Sequence, residues 1–255
     1  MQVPETPRCI AYCDAQWMFR TAKFMFDMSF PSFNPKKLAE IICAEKGFKL
    51  EAVKLYVDVP DFSESAWWSS LWKMRIEDLE KQGIITWHTA SRVRQALCVD
   101  NPSKPHKVYV KSDMETTVRV TSDITRDVVS DKADVILLMS KEHKYVELTE
   151  ALRAYAREHG KWLKLATTYP HAKDRDRNSH AGIDRTDWYP INRDTYMQCT
   201  DFVRRPASST RKVEEQKADE PNPSFGTYEC DVTEDTSSNV EAPTQEVAHC
   251  AEEVA

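Results

Sequence analysis

Short apolar runs alternate with amphipathic stretches along the first 205 residues, and this alternation constrains the fold more than any other feature. "CIAYC" (Cys9–Cys13), "LEAVKLYVDV" (Leu50–Val59), the run from Asp134 to Met139 and "KWLKLAT" (Lys161–Thr167) have strand length and few polar interruptions. Between them lie helix-like segments. "AQWMFRTAKFMF" sets Trp17, Met18, Thr21, Phe24 and Met25 at helical spacing. "FNPKKLAEIICAEKG" opens with Asn34 as an N-cap and Pro35 at the first helical position, and Gly47 stops it. "SESAWWSSLWKMRIEDLEKQG" places Trp68, Leu71, Trp72, Arg75 and Leu79 on one side. "IITWHTASRVRQAL" reads as one or two strands, and Asp100 to Lys107 as a proline-containing loop. "METTVRVTSDITRDVVSD" reads as a helix despite its β-branched residues, and "KYVELTEALRAYAREHG" as a helix closed by Gly160.

Strand–helix alternation predicts an α/β parallel sheet with helices on both faces. In such sheets ligands bind at the carboxyl ends of the strands. That rule gathers Asp14, Asp58, Ser140–Lys144 and Thr167–Thr168 on one edge as candidates. Asp14 can cap the helix that follows it, or hold a cation. Glu142, with an acid from a neighbouring strand end, could bind Mg²⁺ through oxygen ligands, with Lys141 or Lys144 adding charge for a phosphate. The same cluster also fits a solvated helix start.

Charge separates the body from the tail. Residues 206–255 carry three cations against twelve acids, a net −9, so the remainder of a chain of net −6 sums to +3. The tail is rich in Glu, Ser, Thr and Pro with isolated apolar residues, and is expected to be disordered. The mildly basic body is compatible with nucleic acid without demanding it. "HAKDRDRNSHAGIDR" (His171–Arg185) offers Lys173, Arg175, Arg177 and Arg185 for phosphate contacts, and Trp67 or Trp68 could stack a base.

Other chemistries lack their motifs. With five glycines and neither G-x-G-x-x-G nor G-x-x-x-x-G-K-[ST], no nucleotide cofactor is expected. There is no G-x-S-x-G elbow. Seven scattered cysteines without C-x-x-C read as structural thiols of a reduced, cytoplasmic protein. No apolar run approaches the ~20 residues of a membrane span, and no secretory signal is visible.

The order of elements in residues 8–205 resembles an NYN domain of the PIN-like nuclease superfamily. The resemblance rests on "AYCDAQWMFRTAKFMF", "FNPKKLAEII", "LYVDVPD", "DITRDVVSDKADVILLMSKEHKYVELTEAL" and "GIDRTDWYPINRDTYMQC". It implies a three-layer, Rossmann-like fold and a ribonuclease that uses Mg²⁺ or Mn²⁺ at the sheet edge. Asp14 holds the family's first acid, and Trp17 replaces an asparagine. The acid that opens the central helix falls on Thr117, with Asp113 and Glu115 close by; Asp123 matches an acid farther along. In the family's Ser-Gly-Asp-Ser-Asp-Phe stretch, Ser140 and the aromatic Tyr145 are kept, while Lys141, Glu142 and Lys144 stand for Gly, Asp and Asp.

The resemblance therefore implies Asp14, Asp123 and Glu142 as metal ligands and Lys144 against phosphate; Lys141 and the four basic residues of the 171–185 loop are, from their charge, the candidates for RNA contact. Two functions follow: a metal-dependent endoribonuclease with an altered site, or a non-cleaving module that binds RNA or a protein partner. A separation of the Asp14 and Glu142 carboxylates well beyond ~8 Å would exclude a shared ion and point to an unrelated binding protein.

Overall fold

Both parities of the central strands are apolar, so the sheet has to be covered on two faces. The computed structural model describes residues 2–62, 65–90, 92–97, 105–110, 113–175 and 182–206, with backbone alone for 90, 92–97, 105–110 and 113–114. Its elements are β1 (Arg8–Asp14), α1 (Ala15–Phe26), α2 (Pro35–Lys46), β2 (Lys49–Val59), α3 (Ala66–Glu80), β3 (Ile85–Ala90), β4 (Arg92–Leu97), β5 (Pro105–Val110), α4 (Asp113–Val129), β6 (Val135–Met139), α5 (Val146–Glu158), β7 (Lys164–Pro170), β8 (Asp187–Ile191) and α6 (Arg193–Gln198). Six strands form one parallel sheet in the order β3-β2-β1-β6-β7-β8. β4 and β5 pair with each other as a separate antiparallel ribbon. This is the expected three-layer α/β architecture.

Strand parity sorts the apolar residues into two cores. Cys9, Ala11 and Cys13 of β1, with Val53, Leu55 and Val57 of β2, face α1, α2 and α3. Ile10 and Tyr12 of β1, with Tyr56 of β2, face Val120, Ile124 and Val128 of α4 and Leu148 and Leu152 of α5. Helix ends follow the sequence signals. Asn34 accepts hydrogen bonds from the amides of Lys36 (2.9 Å) and Lys37 (3.3 Å), and Gly47 turns left-handed at φ 71°. Arg75, on the apolar side of α3, is buried. It donates to the carbonyls of Ser32 and Phe33 and pairs with Asp201 at 3.2 Å. This ties the segment after α6 to the core.

Several expectations change. Phe24 is 60% exposed, because Ala22 and Phe26 take the inward positions of α1. Trp67 is the more deeply buried of the tryptophan pair; Trp68 is partly buried and packs against Phe19 with ring centroids 5.8 Å apart and planes tilted by 50°. Neither offers an open base-stacking face. The expected loop from Asp100 to Lys107 runs into a strand at Pro105. The tail beyond Pro206 lies outside the described residues. Among the described residues no helix is long and apolar enough to cross a membrane.

The chain steps from β1 to β2 to β3, then returns across to β6 on the other side of β1. The reversal creates a crevice between the carboxyl ends of β1 and β6, the place where open parallel sheets bind ligands.

Candidate functional site

Asp14 closes β1 on one side of that crevice. Its Oδ1 accepts from the amide of Trp17 at 3.1 Å, so it caps α1 as a helix-start aspartate should. Trp17, where the resemblance expected a polar group, packs into the core. Across the crevice β6 is followed by buried Ser140, whose Oγ accepts from the Glu142 amide at 3.3 Å. A 3-10 turn, His143–Tyr145, follows and carries Lys144 back toward β1.

The Lys144 ammonium sits between the two acids. Its Nζ lies 3.3 Å from Asp14 Oδ2 and in contact with Glu142 Oε2. Arg20, one and a half turns into α1, reaches Glu142 Oε1 at 3.6 Å. Below them buried Tyr145 donates to Asp14 Oδ2 at 3.4 Å and hydrogen-bonds Thr117. Asp14 is almost fully enclosed, with side-chain exposure of 6%, while Lys144 and Glu142 keep 28% and 25%. Burial and the nearby Asp14 charge push the Glu142 carboxyl up, against the pull of Lys144 and Arg20. Burial opposes the Lys144 charge, yet Asp14 and Glu142 outweigh it and raise the ammonium above its ordinary value. The pair of acids and pair of bases thus compensate one another.

One nitrogen bridges both carboxylates, so the Asp14–Glu142 distance lies well inside the limit for a shared ion. That space, however, holds a lysine. A divalent cation there would face a positive charge in contact with its own ligands, which opposes binding directly. Among the described residues no group of three or more His, Cys, Asp or Glu is placed to hold a metal. The residues present therefore do not fit Mg²⁺ or Mn²⁺.

Asp123 does not join this cluster. It lies seven residues beyond Thr116 on α4, about 10 Å further along the helix. There it accepts from Tyr56 (2.9 Å), Arg119 (3.1 Å) and Arg126 (2.5 Å). Asp14, Asp123 and Glu142 thus do not form one metal shell, which corrects the expected ligand set: two arginines and a tyrosine already satisfy Asp123. The additional edge carboxylate is Asp58, at the end of β2, buried and accepting from Thr116 Oγ1 at 2.7 Å. Its position at a strand terminus marked it in the sequence; the resemblance placed no ligand there.

The expected RNA contacts are scattered. Lys141 lies over the Tyr169 ring at 5.3 Å. Arg175 spends both terminal nitrogens on Asp27, at 3.0 and 2.7 Å, and also donates to the Phe24 carbonyl. Lys173 and Arg175 line a cavity of about 480 Å³ beside the ends of α1, β7 and β8. Arg185 sits in a left-handed turn, 3.4 Å from Glu150 on α5. Arg177 lies outside the described residues. Cys9, Cys13, Cys43 and Cys199 are buried free thiols, consistent with structural roles.

No protein-family model and no curated protein matches the chain. Among solved structures, a protein of unknown function from Vibrio parahaemolyticus is similar at 14% identity with a TM-score of 0.44, covering 76% of this chain and 98% of that one.

Proposed function

We propose that this chain is an NYN-type module that binds RNA without metal-dependent cleavage. The observation that carries the reading is the Lys144 ammonium lodged between Asp14 and Glu142. Hydrolysis of a phosphodiester by this class of site needs a Lewis acid that lowers the pKa of a bound water. An ammonium supplies positive charge and hydrogen-bond donors, and has no coordination position for water. Asp14 is further occupied by the Trp17 amide and the Tyr145 hydroxyl, so it is poorly placed to act as a base. RNA as ligand is supported by the +3 body and by Lys141 and Lys173 near the same edge.

One observation favours the competing reading, a working ribonuclease: the two carboxylates are close enough to share an ion once Lys144 swings away. A time course on single-stranded and hairpin RNA with Mn²⁺, Mg²⁺ or EDTA decides between them, with Asp14→Asn as the control for contaminating nuclease. No cleavage is expected under any condition, alongside RNA binding that weakens steeply with salt. Metal-dependent cleavage that disappears in Asp14→Asn would sink the proposal.

A further inference from the structure

The cavity beside the ends of α1, β7 and β8 stands apart from the crevice. Asp14, Arg20, Glu142 and Lys144 are not among the residues that line it. Its volume of about 480 Å³ falls inside the roughly 300–1,000 Å³ of small-ligand sites. It lies at the carboxyl ends of β7 and β8, the edge where parallel sheets take ligands. Its walls are tied together by the protein itself. The His171 amide donates to the Ile191 carbonyl at 2.9 Å and joins the end of β7 to the end of β8. Arg175 clamps the segment after β7 onto the end of α1, with two bonds to Asp27 and one to the Phe24 carbonyl. Asn192 caps α6 by accepting from the Thr195 amide at 2.9 Å. Phe26 is held against the Tyr196 ring, with centroids 5.5 Å apart.

The lining has two chemistries. Met25, Phe26 and Ile191 are buried and give the cavity an apolar floor. Lys173, Asp174 and Arg193 are exposed at its rim. Arg175 is spent on Asp27 and on a carbonyl at the negative end of the α1 dipole, so it offsets both. Among the described residues neither Lys173 nor Arg193 has an acid within ion-pair distance. The rim thus keeps two cations against the single carboxylate of Asp174. An apolar floor under such a rim fits a molecule with an apolar body and one compact anionic group. Two side-chain cations suit a phosphate monoester, which carries about −1.5 to −2 at neutral pH. A longer phosphate chain would need the glycine-rich backbone cradle that this sequence lacks. Asp174 is an acceptor for hydroxyl groups between the two ends.

We propose that this cavity binds a nucleoside monophosphate, with the phosphate between Lys173 and Arg193, the sugar hydroxyls toward Asp174, and the base on the floor of Met25, Phe26 and Ile191. The same chemistry is offered by a free mononucleotide and by the phosphate-bearing end of an RNA. Lys173 is the one rim residue that the RNA-binding reading also uses; the rest of the site is independent of it.

The test is calorimetric titration of the full chain with AMP and with UMP, a purine and a pyrimidine probe. Adenosine, uridine and inorganic phosphate each carry one part of the ligand and should bind at least roughly tenfold more weakly than the whole. Lys173→Gln/Arg193→Gln should weaken both nucleotides roughly tenfold or more, as the loss of charge-assisted hydrogen bonds does. Both side chains are exposed, so the urea midpoint of that variant should not move. Lys49→Gln/Lys132→Gln removes the same charge at the opposite edge, where β2 begins and where the chain enters β6, and should keep wild-type affinity. The methyl resonances of Met25 and Ile191 should shift when either nucleotide is added. Failure of both nucleotides to bind at millimolar concentration overturns the site while leaving the RNA reading standing. Inorganic phosphate binding as tightly as the nucleotides, an equal loss in the control, or unmoved Met25 and Ile191 methyls overturns it as well. Displacement of the nucleotide by oligouridylate with a terminal phosphate, and not by the same oligomer with a terminal hydroxyl, makes the source an RNA end. Displacement by neither makes it the free nucleotide, and equal displacement by both overturns the proposal.

Discussion

Two charged clusters occupy the same face of the sheet, and they differ in what their acids are doing. At the carboxyl edge, Asp14 and Glu142 share Lys144, with Arg20 on the rim. Deeper on the face, Asp127 is 2% exposed, accepts from Tyr12 at 2.7 Å and contacts Lys54, while Asp123 one turn away holds Tyr56. In the deep cluster every acid has a hydroxyl donor from a strand and a cation at its side. Such a network positions α4 on the sheet and leaves no group spare. At the edge the same charge types meet nearer the surface, and two acids face each other with a single ammonium in contact with both. A sequence shows acids and bases; depth decides which of them are structural.

The largest effect should come from breaking the deep cluster. Asp127→Ala leaves the Lys54 ammonium buried and the Tyr12 hydroxyl unsatisfied, and should cost about 3–5 kcal/mol in urea unfolding. Replacing both charges, as Asp127→Leu with Lys54→Met, should recover most of that loss. Burial alone would raise the Asp127 carboxyl, but the hydrogen bonds from Lys54 and Tyr12 prevail and hold it below its ordinary value. Its contribution is thus present above the unfolded pKa of 3.8 and lost as pH falls through the lower folded value. A stability profile that is flat below pH 4 in the wild type would break the comparison.

How much of this was legible depended on how local the cause was. Asn34 and Gly47 set the bounds of α2 through their own backbone and side chains, and both were readable. A parallel sheet covered by helices on both faces followed from alternation alone, whereas the strand order did not. β8 was not readable as a strand: "DWYPI" holds a proline and is mostly exposed, as an edge strand can be. β5 was hidden behind the two prolines of "NPSKPHKVYV". For the site, Asp14 and Glu142 were legible as strand-end residues. That Lys144 would fall between them was not, because it depends on the 3-10 turn at His143–Tyr145. Asp123 was assigned from a motif position, and only its distance along α4 shows that it serves the deep cluster.

An intermediate effect is expected at the edge. Lys144→Ala leaves Asp14 facing Glu142 without the bridging charge and should cost about 1–2 kcal/mol at neutral pH. The sign with pH is opposite to that of Asp127. The folded Glu142 pKa is raised above 4.5, so the folded state holds its proton longer than the unfolded chain. Stability from this group therefore declines as pH rises through the window between 4.5 and the higher folded value. Removing Lys144 also removes a charge that pulls Glu142 down, so the window should widen and the variant should regain stability on acidification. Mn²⁺ should raise the melting temperature of Lys144→Ala and leave wild type unchanged. A wild-type shift equal to the variant's would mean that the lysine does not keep the ion out.

The smallest effect is expected at Arg175, and it tests whether a surface pair can be exchanged for RNA. Its bidentate bond to Asp27 lies in water, with side-chain exposures of 41% and 67%, so Arg175→Ala should change stability by less than about 1 kcal/mol. Swapping Asp27 for a phosphate would trade one exposed anion for another with little net gain, so oligouridylate affinity should stay within about twofold and the salt slope unchanged. A slope loss near 0.7 per contact would show instead that Arg175 releases Asp27 on binding. The loop after β7 would then take part directly in RNA binding.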